Sequence, residues 1–339
     1  MQTKLVVSSS PFLRDASVST RRLMGDVVIA LIPTALAAIW FFGAPALALM
    51  LVSVVFAVLS ELVYEKITHQ KTTIDDLSAV VTGLLLAFNL PANAPWWMAA
   101  IGSIIAIVLV KQMFGGIGQN FINPALAART ILMLSWAGLI AATALPAGGQ
   151  LFGLTTVPVD AVASATPLVS SSYSLWQLFI GDVPGMLGET CKLTLILGGV
   201  YLIVRKVIDW RIPVFFIATA FILFWIQTGV IYSVESGTDN ALYQILSGGL
   251  LLGAFFMATD YVTSPVSKWG KVVMGIGCAV ILFVIRAYNN SYPEGCSFAI
   301  LFMNVLTPLI DKWTMPRTFG AVKPAKAKKS EAKQGGVKA

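Results

Sequence analysis

Thr166 places a hydroxyl group in a run of small residues, DAVASATPL at 160–168, which lies between long apolar segments. A small polar segment of this kind can be gripped by a modifying enzyme and loaded with a cofactor. Most Ser/Thr/Ala runs between helices are only solvated loops, and the residues alone leave that alternative open. Thr166 is therefore a candidate attachment site, and its position relative to the rest of the chain decides what it means.

Metal-binding side chains are few and scattered. The three cysteines, Cys191, Cys278 and Cys296, form no CxxC pair, and His69 is the single histidine. An iron–sulfur cluster held by one chain needs four thiolates. We therefore expect no metal site and no complete catalytic site in this chain alone. If the protein takes part in redox chemistry, its cofactor is expected to be organic.

The composition predicts that the chain lies in a membrane. Of its 339 residues 57% are hydrophobic and 12% are charged, whereas a soluble domain carries about 25% charged residues. Most apolar runs reach the roughly 20 residues that a spanning helix needs. The sequence predicts an all-α polytopic membrane protein. Ten transmembrane helices are expected near 24–42, 44–64, 78–90, 96–113, 123–144, 189–208, 212–231, 243–258, 270–287 and 296–312.

The distribution of Lys and Arg predicts the orientation of the helices. Basic residues cluster at alternate ends of the predicted spans, and 130–191 contains none. By the positive-inside rule we expect segments 1–23 and 313–339 in the cytoplasm and the loop 145–188 in the periplasm. The basic tail accounts for much of the net charge of +7. It is expected to be disordered and solvated, so the charge is not a sign of nucleic-acid binding. The cations assigned to the inner side within or between the spans are Lys66, Lys71, Lys111, Arg129, Arg205, Lys206, Arg211, Lys268 and Lys271.

The two halves of the chain, 24–144 and 189–312, carry matching interruptions. A short apolar stretch stops at a proline-bearing break near 89–95 in the first half and near 258–265 in the second. Because five helices make an odd number, the second half would run inverted. Such matched breaks point to a binding site at the repeat interface, since freed backbone groups need partners within a membrane. Simple helix kinking is the alternative.

The acidic residues fall at predicted span edges or in loops. A pump that moves protons or cations usually carries a buried acid. We therefore expect no ion relay within this chain alone. Arg286, near the outer end of the ninth predicted helix, could extend toward the interface or pair with Glu294, Glu189 or Asp182.

Three motifs carry a resemblance to a known family. They are FGGIGQNFINPAL at 114–126, GDVPGMLGET at 181–190 and GAFFMATD at 253–260. The chain resembles, from about residue 22 to residue 314, the family that contains the D-type subunit of Rnf-type ion-translocating electron-transport complexes. It is similar, more distantly, to the B-type subunit of sodium-pumping NADH:quinone oxidoreductases.

The resemblance implies that FMN is attached through a phosphoester to the hydroxyl of Thr166. Asp160, Ser164 and Ala165 then belong to the attachment segment that a flavin transferase reads. Ala163 stands where the family usually has Ser, and Ser164 fills a variable or glycine position. The flavin itself would supply the electron chemistry.

A second, non-covalent flavin is implied by the more distant relatives, which hold riboflavin among their helices. Asn120 and Asn123 match the amides implicated there, and amides suit the flavin's mixed donor and acceptor edge. If the segment is helical, residues three apart share one face. Asn123 before Pro124 also fits the start of a helix, and both uses can hold.

Two functions are open at the level of sequence, besides a third possibility, a purely structural scaffold of such a complex without flavin. The resemblance implies an electron-carrying subunit of an inner-membrane translocase that couples NADH–ferredoxin electron transfer to Na⁺ or H⁺ movement. Its partners would be the other membrane, iron–sulfur and flavin subunits of the complex, together with the lipid bilayer. The alternative is a small-solute channel, because urea and ammonium channels are also built as inverted five-helix repeats. Fold analogy cannot choose between them.

Overall fold

The computed structural model describes residues 19–141, 143, 146, 167–168, 173–232, 240–289 and 294–315, and these residues form helices. Long apolar runs become helices because a helix satisfies its own backbone hydrogen bonds. The first half contains α1 Thr20–Phe42, α2 Ala44–Ile67, α3 Ser78–Phe88, α4 Trp96–Ile104 continued in π-helical form by Ile105–Gln112, α5 Pro124–Ser135 and α6 Ala137–Ala141. The second contains α7 Leu175–Ile180, α8 Lys192–Val204, α9 Arg211–Thr228, α10 Ala241–Leu246, α11 Leu250–Leu252 with the π-helical Gly253–Met257, α12 Lys268–Tyr288 and α13 Cys296–Thr314.

Helix length and the arrangement of polar residues confirm a multi-pass, all-α membrane protein. Among the described helices, α1, α2, α9 and α12 are long and apolar enough to cross a membrane. On α2 the residues Leu51, Val55 and Leu59 are exposed, while Ser53 and Glu61 are buried. This inside-out pattern is expected where the surroundings are hydrocarbon and polar groups must find partners within the protein.

Two predicted helices are interrupted. The predicted span 123–144 ends as α5 at Ser135 and resumes as the short α6. The predicted span 243–258 is divided between α10 and α11, because Ser247 is extended and Gly248 has a φ of 65°. The prediction of continuous helices was wrong here, since apolar composition does not reveal a left-handed glycine. The short helix α7 was not predicted at all.

The break after α3 is closed by a loop from the second half of the chain. The backbone N–H of Leu187 donates to the carbonyl of Leu90 at 3.0 Å, and that of Gly188 donates to Phe88 at 2.9 Å. A Cβ atom on Gly188 would lie 2.2 Å from the Cβ of Phe88, so only glycine permits this approach. The carbonyls freed at the break are thus paired within the protein, and this break needs no bound ligand to satisfy them.

The second break follows α11 and is held by α13. Asp311 accepts a hydrogen bond from the backbone N–H of Val266 at 3.1 Å, and Thr307 donates to the carbonyl of Thr263 at 2.8 Å. Ser267 then caps α12 by accepting from Gly270 N at 2.8 Å. The segment from residue 258 to 267 is therefore fixed in its second part, from Thr263 onward, while Thr259 and Asp260 in its first part line a cavity.

Small residues allow the halves to pack closely. Helix α1 packs on α8 where a Cβ on Gly198 would lie 2.3 Å from the carbonyl oxygen of Ala30. Close approach at small residues is the usual way in which membrane helices associate. The same pair of helices is joined by Asp26, which accepts from Tyr201 at 3.1 Å and forms an ion pair with Arg205 at 3.2 Å.

Candidate functional site

A cavity of about 100 Å³ lies between α3, the start of α5 and the segment that follows α11. Its walls are mainly apolar and include Leu85, Phe255 and Phe256. Polar side chains from four separate parts of the chain also reach it. These are Ser78, Thr82, Lys111, Asn120, Thr259 and Asp260. This space, the central cavity, therefore combines flat apolar walls with a few convergent polar groups, which is the usual character of a small-molecule site.

Asn120 and Asn123 both line the central cavity, but not as one face of a helix. Both precede α5 in non-helical backbone, so the expectation of a shared helical face was wrong. Asn123 is the N-cap of α5: its Oδ1 accepts from the backbone N–H of Ala125 at 3.1 Å and of Leu126 at 3.2 Å. Its amide nitrogen donates to the carbonyl of Met257 at 3.2 Å. The capping interpretation is thus confirmed.

Asn120 is held beside the second helix break. Its Nδ2 donates to the carbonyl of Ile122 at 3.1 Å, and its side chain also hydrogen-bonds Asp260. Asp260 in turn accepts from the hydroxyl of Thr263 at 3.1 Å. Asn120 and Asp260 therefore form a connected polar edge of the central cavity, contributed by both halves of the chain.

A buried charged group lies at the end of the central cavity nearest α2. Lys111 Nζ is 2.6 Å from Glu61 Oε1 and 2.5 Å from the hydroxyl of Ser78, and Gln112 donates to the same carboxylate oxygen at 2.7 Å. We call these four residues the Glu61 cluster. Glu61 lies within α2 and has no exposed surface. Glu61, an acid near the end of the predicted span 44–64, is thus a buried member of an ion pair.

A second buried group of charges lies at the opposite end of α3. It consists of Arg129, Glu189, Lys192, Arg286 and Glu294, and we call it the Glu189 cluster. Arg129 forms an ion pair with Glu294 and donates to Ser297 at 2.5 Å. α3 runs from Ser78, in the Glu61 cluster, to Phe88, which contacts Gly188 next to Glu189. The two clusters are therefore separated by the length of α3.

Backbone carbonyls bind two of the cations in the Glu189 cluster. Lys192 donates to the carbonyl of Glu189 and to that of Gly248, the latter at 2.9 Å. Arg286 donates to the carbonyl of Gln244 at 2.5 Å and to that of Ser247 at 3.0 Å. The carbonyls of Gln244, Ser247 and Gly248 lie at the break between α10 and α11. Arg286 therefore contacts the same break as Lys192 and belongs to the cluster.

Two of the cations assigned to the inner side do not lie at the protein surface. Lys111 and Arg129 are both buried and ion-paired within the bundle. Their partners are distant in sequence, so no local pattern reveals the pairing. The sequence does contain one usable signal for the burial of Lys111. Lys111-Gln112 directly follows the apolar run 104–110, with no turn-forming residue between them.

The predicted flavin-attachment residues lie outside the described residues. This holds for Asp160, Ser164, Ala165 and Thr166. The next two residues are described: the carbonyl of Pro167 accepts from the hydroxyl of Tyr243 at 3.0 Å, and Leu168 lies beside Gly248. Pro167 also lines a small cavity of about 10 Å³ together with Glu189 and Lys192. The chain that follows Thr166 is thus in contact with the Glu189 cluster.

Comparison with known proteins gives a consistent family. The model of the NQR2, RnfD, RnfE family matches residues 6–320. The D-type subunit of the Na⁺-translocating ferredoxin:NAD⁺ oxidoreductase complex of Acetobacterium woodii is 45% identical, over 97% of this chain and 99% of the relative. The corresponding subunit of the proton-translocating ferredoxin:NAD⁺ oxidoreductase complex of Clostridium ljungdahlii is 40% identical, over 93% and 96%. The D-type subunit of an ion-translocating oxidoreductase complex from Escherichia coli is 33% identical, over 93% and 98%. These matches confirm the resemblance carried by the three motifs, and the chain belongs to the NQR2, RnfD, RnfE family.

Proposed function

We propose that this chain is an electron-carrying membrane subunit of a multi-subunit oxidoreductase that couples ferredoxin–NADH electron exchange to the translocation of Na⁺ or H⁺. The observation that carries the proposal is 45% identity, over nearly the full length of both chains, to the D-type subunit of such a complex. Identity of this extent favours the electron carrier over the small-solute channel. The partners are then the other subunits of the complex, including its iron–sulfur and flavin subunits.

The first cofactor we propose is FMN, joined by a phosphoester to Thr166 through the action of a flavin transferase. The described residues next to Thr166 suit an anionic group. Pro167 lines a cavity with Lys192, and Gly248 lies between Leu168 and a guanidinium nitrogen of Arg286. Cations favour a phosphoester oxygen through charge-assisted hydrogen bonds. When bound, the flavin supplies one- and two-electron transfer.

The second cofactor we propose is a non-covalent flavin, riboflavin, in the central cavity. The residues fit such a group in their chemistry, because apolar walls suit the faces of a flat ring and amides suit its polar edge. Asn120 and Lys111 would bind that edge, and Phe255 would pack against the ring. Asn123 would contribute less, because its carboxamide already caps α5 and binds Met257.

We base the proposed orientation of the protein in the membrane on the positions of exposed lysines. Two exposed lysines lie near the Glu61 cluster: Lys66 in the last turn of α2 and Lys71 in the loop between α2 and α3. We propose that this end faces the cytoplasm of a bacterial cell and that Pro167 and the Glu189 cluster face the periplasm. The two flavins would then lie toward opposite ends of α3, and electrons would cross the inner membrane between them.

The covalent flavin is tested on the complex purified from its own host, where the transferase is present. In-gel fluorescence after denaturation and intact mass measure attachment. We expect one FMN on the wild-type protein, none on Thr166→Ala, and full retention on the control Thr155→Ala, which removes a threonine hydroxyl outside the attachment segment. A denatured wild-type chain without flavin, or Thr166→Ala with flavin, refutes the attachment.

The second flavin is tested by extracting non-covalent flavin from the same preparations. We expect Asn120→Leu to lose most of the riboflavin and to keep its covalent FMN. The control is Asn93→Leu, because Asn93 is an exposed asparagine outside the central cavity. Equal riboflavin in both variants, or none in the wild type, excludes the central cavity as its site.

A further inference from the structure

The Glu189 cluster brings ionisable groups of both signs together away from water. It contains three basic side chains, Arg129, Lys192 and Arg286, and two carboxyl groups. Among the described residues its one ion pair within 4 Å is between Arg129 and Glu294. The exposed fraction of Glu189 is 5%, so its carboxyl group is largely removed from water. A buried carboxylate without an ion pair is costly, and such a group usually takes up a proton instead.

The two carboxyl groups approach each other at the break between α10 and α11. A Cβ atom on Gly249 would lie 3.1 Å from Glu189 Oε2 and 3.6 Å from Glu294 Oε1. The side chains of Glu189 and Glu294 lie close enough together for a hydrogen bond between them. Since an ionised carboxylate can only accept a hydrogen bond, a direct bond between two carboxyl groups requires a proton on one of them.

The remaining contacts decide which carboxyl group carries the proton. Glu294 is the ionised one, because it accepts from the guanidinium of Arg129 and from the backbone N–H of Gly249 at 3.2 Å. Glu189 accepts at Oε1 from the backbone N–H of Met186 at 3.1 Å, which leaves Oε2 to carry the proton. The nearest cation, Lys192, donates to carbonyl oxygens.

The pKa directions of the two carboxyl groups, which both lie in loops, also indicate that Glu189 carries the proton and that Glu294 is ionised. Glu189 precedes α8 and Glu294 precedes α13. Burial, followed by the neighbouring charge of Glu294, raises the pKa of Glu189 well above its ordinary value, against the opposing influence of Lys192 and Arg129. Burial also acts to raise the pKa of Glu294, but the charges of Arg129 and Arg286 and the hydrogen-bonding contacts with Arg129 and Glu189 together outweigh it and hold that pKa below its ordinary value. Cys191 and Cys296 are further titratable neighbours of the cluster.

We propose that Glu189 and Glu294 form a proton-binding site, in which Glu189 carries one exchangeable proton and donates it in a hydrogen bond to ionised Glu294. Release breaks the O–H bond of Glu189 and transfers the proton to water, leaving two carboxylates among three cations. Uptake is the reverse, and neither step needs an oxidant or reductant. The proposal is independent of whether Thr166 carries a flavin.

A route for exchange lies beside Glu189. The small cavity that it lines with Lys192 and Pro167 has a volume of about 10 Å³, close to the roughly 10–15 Å³ that one water molecule needs. Polar neighbours, including Thr190 and Gly248, also line it. One water there would lie between Glu189 and Pro167 and could exchange a proton with the carboxyl group of Glu189. A sodium ion is a poorer occupant, because three cations, of which Arg129 and Lys192 are buried, lie around the two carboxyl groups and repel it.

The test compares the same substitution at both carboxyl groups in the intact complex. Glu189→Gln replaces a protonated acid by a neutral group of similar shape, so we expect assembly and a Tm at neutral pH equal to or above that of the wild type. Glu294→Gln removes the charge partner of buried Arg129, so we expect loss of assembly or a clearly lower Tm. Asp182→Asn, at an exposed acid of the same loop, is the control.

The pH dependence gives a second readout with a defined sign. A raised pKa in the folded state stabilises the protein most at low pH, and this contribution is lost as the pH rises toward the folded pKa. The Tm advantage of Glu189→Gln over the wild type should therefore grow from about pH 4 upward. Infrared spectra of the wild type should contain a protonated-carboxyl band that shifts in D₂O and is absent from Glu189→Gln.

Three results would overturn the proposal. The first is failure of Glu189→Gln to assemble while Asp182→Asn assembles, and the second is equal destabilisation by Glu189→Gln and Glu294→Gln. The third is loss of the wild-type carboxyl band on replacing choline chloride with sodium chloride at constant pH, which would indicate a sodium site instead.

Discussion

Glu61 and Lys111 form an ion pair with 2.6 Å between Oε1 and Nζ, and their side chains expose 0% and 4% of their surface. Glu61 comes from α2 and Lys111 from the π-helical end of α4. Single-turn π-helical insertions are frequent at functional sites, and here a longer one carries the lysine that reaches the central cavity. The pair therefore fixes the position of α2 relative to α4. It also fixes the position of Lys111, which is the one lysine among the described residues that line the central cavity.

Breaking this pair from one side should be far more damaging than removing both charges. Glu61→Gln leaves Lys111 buried without its carboxylate, and the expected loss of stability is about 3–5 kcal/mol. The double variant Glu61→Gln with Lys111→Met should recover most of that loss. Thermal unfolding in detergent measures both, with Lys66→Met, at an exposed lysine of α2, as the control. A double variant no more stable than Glu61→Gln would contradict this account.

The glycine at the first break should not tolerate a methyl group. Gly188→Ala would place Cβ 2.2 Å from the Cβ of Phe88, so the loop must withdraw and lose its hydrogen bonds to the end of α3. Overpacking of this kind costs about 1–3 kcal/mol, which should appear as a lower Tm. Gly138→Ala meets no atom within 4 Å and should leave the Tm unchanged. Equal values for the two variants would argue against the observed closure of the break.

The capping role of Asn123 predicts a graded response. Asn123→Ala should cost about 0.5–2 kcal/mol, because two backbone N–H groups at the start of α5 lose their acceptor. Asn123→Ser keeps a capping acceptor, although it loses the hydrogen bond to Met257, and should retain more of the stability than Asn123→Ala. Hydrogen exchange at the amides of Ala125 and Leu126 reports the change locally, with Asn93→Ala as a control. If hydrogen exchange at these two amides is unchanged in Asn123→Ala, Asn123 does not stabilise the start of α5 as an N-cap.

The interactions of Asp209 with Arg211 and Lys271 should make a small contribution to the free energy of unfolding, and this contribution should depend on pH. Partial burial acts to raise its pKa, but hydrogen bonds from the backbone of Arg211 and from Lys271 outweigh this, so the pKa lies below its ordinary value. The resulting stability is present above the unfolded pKa, about 3.9, and is lost as the pH falls through the folded pKa. Lys271→Met should therefore lower stability by about 0.2–1 kcal/mol at neutral pH.

The difference between Lys271→Met and the wild type should shrink as the pH is lowered to about 3. Tm values over this range measure it. Lys268→Met serves as the control, because Lys268 is an exposed lysine at the start of the same helix. A difference that stays constant with pH would mean that Lys271 acts through packing and not through Asp209.

Helix positions were readable from sequence because a membrane imposes both length and apolar composition. α1, α2, α9 and α12 lie close to their predicted ranges for this reason. The break at Gly248 was missed because a left-handed φ leaves no mark on hydropathy. The short helix α7 had a readable signal: Ser174 and Gln177 form a capping box, three residues apart as that motif requires.

The site was predicted only in part. Asn120 and Asn123 were selected by motif, and both line the central cavity. The charge clusters were not foreseen, because Arg129 and Glu294 lie in different halves of the chain and meet only after folding. A count of charges by side assumes that each cation is at the surface, and burial of Lys111 breaks that assumption.

The closure of the first break by residues 187 and 188 has a consequence for how the protein is made. The carbonyls of Phe88 and Leu90 receive their hydrogen bonds from a loop that the ribosome synthesises only after the whole first half. Until then those carbonyls lie unpaired at a helix end, at a cost of several kcal/mol each if they enter hydrocarbon. The first half alone is therefore an incomplete insertion intermediate, and α3 can settle at its final depth only when the start of the second half arrives.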